Sequence, residues 1–249
     1  MAYQVSSHIK RAASTPEYSK ILMLRTIGNF LVLTSLFMIA KTFYQPVVEE
    51  IHYAFDQYIH KQYVVADIHN PERTELIKKD MGSTAPKGKL IQVLHIDPVE
   101  VITPPDPNFS IIIPKIGAQS KIIPNVNAAD EKSYLAALKQ GVAHTLGTAF
   151  PGEGGHIYLF AHSTDYVWNV NSYNAVFYLL YKLEQGDEVD LFYKGQRYVY
   201  KVTGKETVDP SQVQYLTRKT NREFLTMQTC WPPGTTLQRI LVFATRVAE

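Results

Sequence analysis

Apolar positions change their spacing along this chain, and each change predicts a different element. Residues 27–44 read IGNFLVLTSLFMIAKTFY, an apolar run interrupted by one charge, Lys41, and one amide, Asn29. As a helix this run covers roughly 27 Å, the thickness of a bilayer's hydrocarbon core, with Lys41 snorkelling outward. Val48, Ile51, Ala54, Phe55, Tyr58 and Ile59 then fall on one helical face, so the helix is predicted to continue past Pro46. Residues 67–108 carry Pro71, Pro86, Pro98, Pro104, Pro105 and Pro107 and the loop-like stretch GSTAP. That pattern predicts a linker with short extended pieces, such as residues 90–96, and no packed domain of its own.

From Phe109 onward the pattern is one of strands and turns. The run SIIIP at 110–114 is a short strand ended by proline, and Gly154-Gly155 precedes a buried strand over 157–161. Asp130 or Glu131 opens a helix in which Tyr134, Leu135 and Leu138 share a face, closed by Gly141. A second helix is predicted over 174–183 from Val176, Leu179, Leu180 and Leu183. Val189/Leu191/Tyr193 and Tyr198/Tyr200/Val202 alternate about Lys194-Gly195, which predicts a hairpin. Residues 224–229 and 240–247 are the last two strands. Many strands, short helices and no βαβ rhythm predict a mainly β fold, a closed or nearly closed antiparallel barrel.

Composition narrows the function. The 249 residues are 45% apolar and 19% charged, with 25 basic and 23 acidic side chains. The net charge of +2 argues against a polyanion-binding protein, so no nucleic acid is expected as partner. Lys10, Arg11, Lys20 and Arg25 precede the apolar run, whereas Glu49, Glu50 and Asp56 follow it. The positive-inside rule then predicts a cytoplasmic tail over 1–26, a transmembrane anchor over 27–44 and an extracytoplasmic stalk over 45–108. A cleaved signal peptide and a buried helix of a soluble domain are the rival readings. The former lacks a small-x-small site after the run, and the mean hydropathy of −0.13 excludes a polytopic protein.

One cysteine, Cys230, excludes an internal disulfide framework and any zinc site needing two thiolates. No metal or cofactor is expected, since the acidic residues lack the spacing of a calcium loop. Cys230 ends an apolar strand and precedes Trp231-Pro232-Pro233-Gly234, a position at a barrel rim. A buried structural thiol is the bland alternative. Arg239 follows nine residues later, so a hairpin through the Pro-Pro-Gly loop returns a guanidinium beside the sulfur. A thiol nucleophile also needs a proton carrier. His144, His156 and His162 are the candidates outside the tail and stalk, and His162 ends the run IYLFA much as Cys230 ends its own strand. Arg246 is the rival arginine, on the opposite strand face.

These residues carry a family resemblance. Thr226-Met227-Gln228-Thr229-Cys230 with Arg239 resembles the sortase signature Thr-Leu-x-Thr-Cys followed nine residues later by arginine, with methionine in place of leucine. Ile113-Pro114-Lys115-Ile116-Gly117, Gly141-Val142, the stretch GTAFPGE at 147–153 and Phe160-Ala161-His162-Ser163 are similar to the family's upstream half, in the same order. The resemblance implies a sortase-like eight-stranded β-barrel over 109–249, with two or more short helices, behind the anchor and stalk. It implies a cysteine transpeptidase of the plasma membrane acting on surface proteins that carry an LPxTG-like sorting signal. The acceptor would be an amine of a cell-wall precursor or a protein lysine. Cys230 would be the nucleophile, His162 the general acid and base, and Arg239 the oxyanion or backbone donor. Thr229 and Trp231 are candidate substrate contacts, Thr229 otherwise turning away and Trp231 otherwise plugging the space beneath the loop. Asp165 is a candidate orienter of His162, and residues 208–222 correspond to the family's substrate-shaping loop. Asp106-Pro107-Asn108-Phe109 is a loose echo of the lid found in pilin-polymerising sortases. A catalytically inert sortase-like binding module remains the alternative, and an L,D-transpeptidase is disfavoured because Trp231-Pro232 follows the cysteine.

Overall fold

In the computed structural model, residues 16–84, 98–163 and 176–247 are described. They form two compact units that divide after Val48. The first is the start of a long helix, α1 (Pro16–Tyr58), which runs through Pro46 as its apolar spacing predicts. Its stretch Pro16–Lys41 has a mean hydropathy of 1.7 and none of it is buried within the protein, the composition of a segment that meets lipid.

The second unit starts at Glu49, in the last turns of α1, and holds a small parallel sheet and a closed barrel. The small sheet pairs β1 (Gln62–Val65) with β2 (Val99–Ile102), and α2 (Pro71–Thr84) lies between them in sequence. Here the structure departs from the linker expectation. Pro71 begins α2, where its missing N–H costs nothing, and the Asn70 side chain accepts from Arg73 N at 3.1 Å. Val65 and Ile102 pack on Ile112 and Phe192 of the barrel, so this segment is a docked layer. Residues 90–96 lie outside the described residues.

The barrel contains β3 (Phe109–Ile113), β4 (Ala118–Val126), β5 (Val142–Thr145), β6 (His156–Phe160), β7 (Glu188–Tyr193), β8 (Gln196–Val208), β9 (Phe224–Trp231) and β10 (Gln238–Arg246). It closes in the order β10-β8-β7-β3-β4-β5-β6-β9. The mainly β, eight-stranded barrel expectation holds, but the barrel is not purely antiparallel. β4 pairs with β5 in parallel across the helix α3 (Glu131–Leu138), and β6 pairs with β9 in parallel. Alternation reports which face a residue takes and says nothing of its neighbour's direction. Ile111, Ile157, Leu191, Leu225, Met227 and Val242 fill the interior and are fully buried.

Residues 176–183 are turns and a 3-10 turn (Leu180–Lys182) where an α-helix is predicted. Phe177, Leu180 and Leu183 are all fully buried, and side chains three apart eclipse in a 3-10 turn. A spacing that reads as helical therefore also fits this tighter turn.

Candidate active site

The site grows from the pairing of β6 with β9. Leu225 and Met227 point into the barrel, so Thr226, Gln228 and Cys230 face outward. Beyond the last strand residue of β6, Ala161 N donates to Gln228 O at 3.1 Å. The buried Thr229 hydroxyl donates to Ala161 O at 2.9 Å. Ala161 is thus held from both its amide and its carbonyl, and the next residue, His162, emerges beside the end of β9. The β9–β10 hairpin places Arg239 directly opposite Cys230, and Arg239 Nη1 donates to the carbonyls of Thr236 and Gln238 at 3.1 and 3.0 Å.

Cys230, His162, Arg239 and Thr229 line one cavity of about 350 Å³. Its apolar wall comes from α3, through Tyr134, Leu135 and Leu138, and from the β8–β9 loop, through Val213 and Leu216. The helix starts as the sequence predicts, with the Asp130 side chain accepting from Lys132 N. Cys230 is partly exposed and carries no disulfide. A thiol, an imidazole and a guanidinium on one cavity can attack a carbonyl, move a proton and stabilise an oxyanion.

His144 and His156 are tied into the fold. His144 is fully buried; Asn125 N donates to its Nδ1, and its Nε2 donates to Ala149 O. His156 Nδ1 donates to Arg218 O at 3.1 Å, so its Nε2 accepts from the Thr226 hydroxyl at 2.8 Å. Burial holds both rings below their usual range, His156 at about 4, which keeps them neutral and structural. Arg246 lies at the other end of β10, opposite Tyr200, paired to Glu223 at 3.5 Å and 4.9 Å over the Tyr198 ring.

The structure places the two predicted substrate contacts differently, Thr229 on the cavity and Trp231 off it. Thr229 is 3% exposed and spends its donor on Ala161, which makes it a tie between strands. Trp231 follows Cys230 on the opposite strand face, and its ring lies 5.0 Å from that of Tyr181. It does not line the cavity. Asp165 lies outside the described residues. Asp106–Phe109 lies against the β7–β8 turn, with Lys194 N and Gly195 N donating to Asn108 O and Pro107 O. It forms no part of the cavity lining. Among the described residues no cluster of His, Cys, Asp and Glu is arranged to hold a metal.

Sequence reasoning missed Tyr158, whose hydroxyl donates to Gln228 Oε1 at 2.6 Å in the same cavity. Period-two alternation places Tyr158 with Phe160, and Gln228 with Cys230, and could have shown both facing the site.

The sortase domain family matches residues 111–247, more than half of the chain. The chain belongs to the sortase family. Sortases are cysteine transpeptidases of cell-wall sorting, and this sortase is similar to Sortase D of Bacillus subtilis (strain 168), 28% identical over 138 residues. The match covers 54% of this chain and 61% of that relative's length. Among solved structures, sortase C-1 from Actinomyces oris is 28% identical, with a TM-score of 0.48, covering 58% of this chain and 76% of that one. A Clostridium perfringens sortase C with the C-terminal cell wall sorting motif is also 28% identical, with a TM-score of 0.47, covering 56% and 70%.

Proposed function

We propose that this sortase is a single-pass membrane-anchored cysteine transpeptidase that joins surface proteins bearing an LPxTG-like sorting signal to an amine. The observation that carries the reading is the single cavity shared by Cys230, His162 and Arg239. The Cys230 sulfur, as thiolate, attacks the carbonyl carbon of the signal's threonine, and a C–S bond forms. The oxyanion draws on Arg239, whose fork of donors and permanent charge suit it. The C–N bond then breaks, His162 gives its proton to the departing amine, and a thioester remains. An amine of a cell-wall precursor or a protein lysine attacks the thioester, His162 takes the proton back, and the thiolate leaves. Bond making and proton transfer balance without any further reagent.

The same proposal places residues 1–26 in the cytoplasm, 27–44 in the plasma membrane and the rest outside it. The exposed apolar stretch Pro16–Lys41 and the basic residues Lys20 and Arg25 at its start support this orientation. The chemistry belongs to residues 109–249, with β1 and β2 packed alongside.

Incubation of the protein with a sorting-signal peptide tests the reaction by mass spectrometry. A thioester adduct on Cys230 and transfer to an added amine are expected. Cys230→Ala and His162→Ala should abolish measurable transfer, a loss on the order of 10³-fold or more, while circular dichroism stays unchanged. A Cys230 that forms no adduct in the wild type, or a His162→Ala variant that keeps its rate, would support an inert binding module instead.

A further inference from the structure

We infer that Glu50, at the outer end of α1, is a positioning residue for Cys230, acting through Tyr181 and Trp231. The inference rests on the transpeptidase reading of the site. Cys230 and Trp231 are consecutive and face opposite sides of β9, so the seat of the tryptophan ring fixes where the sulfur stands. That seat is Tyr181, on the 3-10 turn Leu180–Lys182, with the two rings 5.0 Å apart and inclined at 49°.

The turn is itself gripped from two sides. Lys205 of β8 donates to the carbonyls of Tyr181 and Leu183 at 2.6 and 2.9 Å, which fixes its backbone. Glu50 fixes its side chains, because the Tyr181 hydroxyl donates to Glu50 Oε1 and Lys182 Nζ lies 3.2 Å from Glu50 Oε2. Both carboxylate oxygens are therefore used, and the Lys182 ammonium also lies over the rings of Tyr181 and Tyr53, at 4.8 and 5.2 Å. Burial and the Glu50 carboxylate hold the Tyr181 hydroxyl protonated, as a donor must be.

Glu50 lines no part of the cavity and touches no substrate there. Its loss should therefore lower turnover without weakening peptide binding. A displacement of about 1 Å at a reacting group costs on the order of 100-fold, and the partial displacement expected here corresponds to about tenfold in kcat.

The test uses the full chain in detergent micelles, with Glu50→Ala, Glu50→Gln, Tyr181→Phe and the Glu50→Ala/Tyr181→Phe double variant. Glu50→Ala and Tyr181→Phe should each lower kcat for the sorting peptide about tenfold, with KM within twofold of wild type. The double variant should be no slower than either single one, since both break the same bond. Glu50→Gln, which still accepts from Tyr181, should recover part of the rate. Trp231 emission, read in a Trp168→Phe background, should shift to the red in Glu50→Ala as the ring loosens from Tyr181. This second reading is independent of turnover, so a wild type without transferase activity would overturn the proposed function while the emission still judges the link. An unchanged kcat and emission in Glu50→Ala, a rise confined to KM, or additive losses in the double variant would overturn the inference.

Discussion

At His156, one ring nitrogen donates to a carbonyl while the other accepts from a hydroxyl, so one neutral tautomer satisfies both partners, whereas a charged ring would have to donate to the Thr226 oxygen and turn that buried hydroxyl's proton away. Burial pushes this ring down to about 4 from an ordinary 6.5. Between those values the unfolded chain binds the proton and the folded one does not. The stability His156 provides is thus complete above pH 6.5 and is lost as the pH falls toward 4. Asp190 runs the other way: burial raises its carboxyl to about 6 in spite of Arg197 at 2.8 Å. Its contribution is complete below its unfolded value near 4 and is lost as the pH rises through 6. The two slopes oppose each other, so a variant is needed to see either one. Thermal unfolding of His156→Asn, set against wild type, should show a difference that shrinks between pH 7 and pH 5. The change should be about 2 kcal/mol, and parallel curves would remove His156 as the source.

The β8–β9 loop, which contains the 3-10 turn Val213–Tyr215, shows how a connection between strands is held in place. The Arg218 guanidinium lies over Tyr215, Phe224 and Phe243 at 5.5, 5.3 and 5.5 Å, and its carbonyl accepts from His156. Backbone and side chain are both anchored, and the loop upstream carries Val213 and Leu216 into the cavity wall. Arg218→Ala should therefore raise KM for the sorting peptide roughly five- to tenfold, with kcat within twofold, while Arg218→Lys, still cationic, stays closer to wild type. A fall in kcat at constant KM would contradict this role. In the sequence, Arg218 reads equally well as part of a solvated face, because two of the three rings beneath it, Phe224 and Phe243, come from later strands. The strands themselves were legible, since Leu225/Met227 against Thr226/Gln228 is a local alternation. So was the Cys230–Arg239 pair, because nine residues and a Pro-Pro-Gly turn leave a hairpin little freedom. The destination of the Thr229 hydroxyl was not, for its acceptor at Ala161 is 68 residues away. The layer formed by β1, β2 and α2 was hidden for a different reason: a proline that breaks a helix interior also starts one, as Pro71 does.

For the whole molecule, the exposed apolar stretch of α1 and the folded unit beyond Val48 make separate demands on solvent. Removal of residues 1–44 should move the protein from the membrane pellet to the supernatant after ultracentrifugation and leave thioester formation intact, since Glu50 and everything after it remain. A truncated protein that still sediments with membranes would refute the single anchor. The parallel pairing of β6 with β9 reaches further. These strands are made far apart in time, and no turn brings them together, so their contact belongs to the slow, non-local class of folding events. A growing chain can carry the finished hairpin with its sulfur and guanidinium and still lack the imidazole beside them. The hairpin alone therefore does not complete the cavity: its thiol and guanidinium are joined by the imidazole only once this non-local pairing has formed.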